Sequence, residues 1–107
     1  MSWLPRRRKE RPGTLRSADS ADRDHLADFV RTREGVEAYL EPRTTVTDTT
    51  VVLVARDGEW TRRRVDGADG AQSFAKKHKI PLYEVERVGY PQRMRQWTQR
   101  RKAGELP

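Results

Sequence analysis

Cationic side chains interleaved with aromatic rings form the chemical pattern that recurs along this chain. Trp60 stands two residues before Arg62 and four before Arg64, so the three share one face of a strand. Tyr90 and Trp97 sit among Arg93, Arg95, Arg100, Arg101 and Lys102. A guanidinium pairs bidentately with phosphate, and an indole or phenol ring stacks on an unpaired base. Trp60, Arg62, Arg64, Arg93, Arg95, Trp97, Arg100, Arg101 and Lys102 are therefore the candidate nucleic-acid-binding residues. The same aromatics have a plainer use, which the small apolar content favours. Met94 and Trp97, three apart, can dock a helix on a sheet and leave its arginines in solvent.

Other chemistries find little support. The chain has no Cys, so disulfides, thiolate catalysis and Cys-based zinc sites are excluded. His25 and His78 are distant in sequence, and His25, one turn before Phe29, reads as an edge-of-core residue rather than a ligand. Ser17 and Ser20 read as helix caps, Ser73 falls in a short helix, and no Ser-centred elbow is present. Gly67 and Gly70 belong to no dinucleotide or Walker pattern. The sequence nominates no catalytic residue, no metal ligand and no cofactor.

Composition narrows the partners. With 107 residues, 34% hydrophobic and 36% charged, the chain suits one domain with a thin core. A net charge of +7 suits nucleic acid, a ribosome or an anionic membrane surface, and also serves solubility alone. Absence of Cys makes a reducing cytoplasm the default location. No stretch approaches the roughly 18 apolar residues of a transmembrane helix. The opening Met1–Glu10 has adjacent arginines but no apolar run behind them, unlike a secretion signal.

Local patterning along the chain sets the helices and strands that hold these residues. Residues 1–18, with Arg6, Arg7, Arg8, Lys9 and Arg11 between prolines, read as a disordered cationic arm. A helix is expected from Ser20 to Glu34, with Ser17, Asp19 or Ser20 as cap, Leu26, Phe29 and Val30 as apolar stripe, and Gly35 as stop. Val36–Glu41 alternates as a strand ended by Pro42. Val51–Val65 reads as a β-hairpin about a two-residue Asp57-Gly58 turn, which sets Leu53 opposite Arg62 and Val51 opposite Arg64. The unbroken apolar run places its first strand centrally, and the arginines place its second at the edge. Ala71–Lys79 is a short helix, Ile80–Val85 a fourth strand, and Gln92–Lys102 a last helix entered through Pro91. The expected class is α+β: a single small domain of order α-β-β-β-α-β-α over residues 19–102, with an antiparallel three-stranded meander, a fourth strand, and helices packed on the sheet. Residues 103–107 read as a flexible tail.

The helix-β-β-β-helix-β order over about residues 20–86 resembles the core of the PD-(D/E)xK nuclease superfamily. That resemblance implies a metal-binding Asp near the start of the second strand, a place Asp48 can fill, and a Glu-x-Lys on the third. The third strand here reads Thr61-Arg62-Arg63-Arg64, and Glu59 falls at the turn. Metal-assisted phosphodiester cleavage needs converging carboxylates, so the resemblance implies a catalytically degenerate relative. The helix-β-β-β-helix order is also similar to a dsRNA-binding domain. There the basic run opens the second helix, whereas Lys76, Lys77 and Lys79 close it.

These features suit three functions. The first is a small non-catalytic protein bound to RNA, ribosome or DNA backbone. The second is an interaction module that docks an acidic protein on its C-terminal basic helix. The third is a degenerate nuclease fold.

Overall fold

The computed structural model describes residues 19–104. The basic arm expected at 1–18 and the last three residues of the tail lie outside the described residues. Helix α1 (Ser20–Thr32) opens on a capping box. The Asp19 carboxylate accepts the Asp22 N–H at 2.9 Å, and the Asp22 carboxylate accepts the Asp19 N–H at 3.5 Å. This pairing satisfies two N–H groups that a helix start otherwise leaves without partners. Arg33 turns extended and ends the helix before the expected Glu34.

Four strands form one sheet: β1 (Glu37–Glu41), β2 (Thr50–Val54), β3 (Trp60–Arg64) and β4 (Leu82–Glu84), in the order β3-β2-β1-β4. β1, β2 and β3 are the expected antiparallel meander. Helix α2 (Gly67–His78) then carries the chain over the sheet to lay β4 parallel to β1. A one-turn helix, α3 (Val85–Val88), replaces the expected last residue of the fourth strand. Helix α4 (Gln92–Lys102) spans the range read from the sequence.

The result is three layers. α1 and α2 share one face, where Leu26, Phe29 and Ala71 close on Ala38, Leu40, Val51, Leu53 and Ala55. α4 covers part of the other, where Met94 meets Tyr39, Val52 and Val54, with Trp60 packed alongside. β2 is covered on both sides, as its unbroken apolar run predicted; Val51, Val52, Leu53 and Val54 are fully buried. Each contributes about 1.5–3 kcal/mol by leaving water.

The β2–β3 hairpin differs from the expected register by one residue. The Ala55 N–H donates to the Glu59 carbonyl at 2.8 Å, so the loop is Arg56-Asp57-Gly58, three residues rather than two. Val52 therefore lies opposite Arg62 and Thr50 opposite Arg64. A one-residue slip exchanges faces. Trp60, Arg62 and Arg64 share the α4 side with Val52 and Val54, while Thr61 and Arg63 point to α1. Only Gly58 takes a positive φ (+98°) in this loop; Asp57 instead accepts the Glu59 N–H on its carboxylate at 2.9 Å. That is a three-residue loop with its left-handed residue last, the second commonest hairpin connection.

A candidate nucleic-acid interface

The sheet face beneath α4 carries three of the nine residues chosen from the sequence, and α4 carries the other six. Strand alternation puts Glu37, Tyr39 and Glu41 of β1, Thr50 of β2, and Trp60, Arg62 and Arg64 of β3 on the sheet face. α4 crosses one end of this face. Its Arg93 guanidinium donates to the Ala55 carbonyl at 2.9 Å and to Glu37 Oε1 at 2.8 Å. The Trp60 indole N–H donates to Thr98 Oγ1 at 2.9 Å. Arg93 is thus a clamp between helix and sheet, and Trp60 is half-buried under the helix rather than offered to solvent.

The other end of the face is open and is organised by Glu41. Arg62 makes a bidentate pair with its carboxylate, at 2.7 and 2.9 Å. Thr50 Oγ1 donates to it at 2.6 Å, and the Tyr90 hydroxyl donates to its second oxygen. Burial works to raise the Glu41 pKa, but the donors from Arg62, Thr50 and Tyr90 outweigh it and hold the carboxyl below its ordinary value. Burial, then the Glu41 carboxylate, pushes the Tyr90 phenol up. Beside this network the Tyr83 ring lies against Tyr39, centroids 5.4 Å apart, as the β1–β4 register requires.

Each arginine of β3 has a carboxylate nearby from a different part of the chain. Arg62 meets Glu41 of β1, Arg63 lies 3.7 Å from Asp22 of α1, and Arg64 lies 3.7 Å from Asp48 of the β1–β2 loop. Where the nuclease resemblance would put a second carboxylate beside Asp48, the strand presents Arg64. Among the described residues, no group of three or more His, Cys, Asp or Glu converges as a metal site. His25 sits at the α1–β3 seam, its Nε2 2.6 Å from Thr61 Oγ1.

The cations of α4 stand differently. The helix carries five, Arg93, Arg95, Arg100, Arg101 and Lys102, and no acid. Residues 19–91 carry twelve cations against fourteen acids. Arg101 lies over the Trp97 ring at 5.2 Å, and Arg100 reaches toward the Asp57 carbonyl at the hairpin turn. Arg95 and Lys102 are exposed and, among the described residues, have no carboxylate partner. The structure therefore brings together Trp60, Arg62, Arg64 and Arg93 at one face, sets Trp97 against Gly58 of the hairpin turn, and places Arg95, Arg100, Arg101 and Lys102 along the helix. Sequence reasoning left out Tyr83, Glu41 and Thr50. Their signal was available only for Glu41 and Tyr83, whose places in alternating strands could have been compared once the strand order was known.

Among the described residues, no helix is long and apolar enough to cross a membrane. No family model, no curated protein and no solved structure matches the chain.

Proposed function

We propose that this chain binds nucleic-acid backbone, RNA in the first instance, through the outward side of α4. The observation that carries the reading is the separation of charge: a body with balanced charges, its β3 arginines each set against a carboxylate, bears a helix with five cations and no acid. Such a helix gains counterion-release free energy on a polyanion, which a surface of mutually paired charges does not. Residues 1–18 add a second cationic stretch in the sequence. The absence of Cys suits a reducing cytoplasm as the place of action.

The test is fluorescence anisotropy with generic RNA over a salt series. Four phosphate contacts, from Arg95, Arg100, Arg101 and Lys102, give a loss of about fifty-fold or more between 50 and 200 mM salt. Replacing those four by Gln should abolish measurable binding and leave the fold intact; Arg93 is kept because it clamps the helix. Salt-independent affinity, or unchanged binding by the fourfold variant, overturns the reading. So does a purification in which nuclease digestion leaves one acidic protein bound to this surface and the isolated chain ignores RNA.

A further inference from the structure

The sheet face that α4 leaves open carries more than charge. Tyr83 and Tyr90 keep 37% and 40% of their surface exposed, although the core is short of apolar material. Both are held from behind. Tyr83 leans on Tyr39 across the parallel β1–β4 pairing, and Tyr90 is tied through its hydroxyl to Glu41. Tyr39 and Glu41 are two residues apart on the same side of β1, so the anchors of the two rings lie roughly 7 Å apart along the strand. Arg62 is held in place beside Tyr90 by the same carboxylate. Val88, 58% exposed, lies between the two tyrosines in sequence, on α3.

We infer that this open end of the sheet is a stacking platform for unpaired bases, which makes single-stranded nucleic acid the preferred ligand over a duplex. This rests on the α4 reading above and names the class of nucleic acid. The physical reason is accessibility. A duplex offers phosphates to α4 but keeps its base faces stacked inside, whereas a single strand can lay its backbone along the helix and turn bases onto rings fixed in advance. Rings already ordered by Tyr39 and Glu41 lose little freedom on binding. The charge relation supports the same ligand: the platform adjoins the helix that holds the cationic excess, through Pro91 at the start of α4.

Anisotropy with a labelled 12-nucleotide oligouridylate and with an RNA duplex of equal length tests this. The unmodified chain should bind the single strand at least about ten-fold more tightly than the duplex. Tyr83→Ala should weaken single-strand binding about ten-fold and leave duplex binding unchanged, the size expected for one lost base–ring stack. Tyr83→Phe, which keeps the ring and its contact with Tyr39, should bind as the unmodified chain does. Equal affinity for both ligands, or a Tyr83→Ala variant that keeps its single-strand affinity, overturns the platform while α4 binding stands. Failure to bind either ligand at low salt overturns both readings together.

Discussion

At the scale of single residues, Gly58 has the least room for a side chain among the described glycines. Its φ of +98° already disfavours any side chain, and a Cβ there would drive into the Arg93 carbonyl and lie 2.9 Å from Trp97 Cβ. Gly58→Ala should therefore cost about 2–4 kcal/mol, combining backbone strain with displacement of α4. Urea denaturation midpoints check this; a loss below about 1 kcal/mol would mean that the helix retreats freely. The sequence showed the glycine and the turn but not the turn's length. Asp57-Gly58 fits a two-residue loop by local chemistry, yet the chain uses three, with Gly58 packed against the Arg93 carbonyl of α4. That contact lies 35 residues away in sequence, so no local pattern records it. The alternation of Val36, Ala38 and Leu40, by contrast, was legible because one buried face imposes it.

At the scale of elements, α4 was legible in its limits and not in its attachments. Pro91 and the run of good helix formers set its bounds. Its cations looked alike in the sequence, yet Arg93 binds inward to Ala55 and Glu37 while Arg95 faces solvent. Arg93→Ala strands a half-buried carboxylate and a carbonyl and should destabilise by about 2–3 kcal/mol. Arg95→Ala should stay within about 0.5 kcal/mol. Thermal unfolding of the pair of variants decides the matter; equal shifts would deny the clamp. α2 shows the opposite limit. It begins at Gly67, four residues before the expected Ala71, through a Gly-Ala-Asp-Gly stretch with poor helix propensity. Packing of Ala71 and Phe74 against the α1 side of the sheet overrides that propensity.

At the scale of the whole molecule, the carboxylates and phenols of the α4 face set a pH range. Burial of Glu37 and Glu41 is outweighed by donors, Arg93 and Tyr39 for the first, and Arg62, Thr50 and Tyr90 for the second. Both carboxyls are held below their ordinary value of 4.5. Their contribution is present above that pH and is lost as pH falls through the lowered folded values. Burial, then the Glu37 carboxylate, pushes Tyr39 from 10.0 up to about 12. Its contribution is complete below pH 10.0 and is lost as pH rises toward about 12. The melting temperature should thus fall at both extremes, with burial of His78, which lowers its pKa from 6.5, adding to the decline on the acid side. Tyr39→Phe should reduce the alkaline decline, leaving the part due to Tyr90, and should also shrink the acid decline, because Glu37 loses one of its donors; an unchanged alkaline limb would show that the phenol does not report folding. The three-layer arrangement was only partly legible. Strand content followed from residue patterns, but the parallel β4 depends on a crossover that no strand encodes by itself.

The closeness of Gly58 to α4 has one more consequence. The glycine meets a main-chain carbonyl, an atom that every residue supplies. The depth at which the helix seats is therefore indifferent to what it displays on its far side. Gln92, Arg95, Gln96, Gln99 and Lys102 can be rewritten without altering that fit. The molecule is in this sense a mounting for an exchangeable surface, and a different ligand could be given to the same fold by changing one side of one helix.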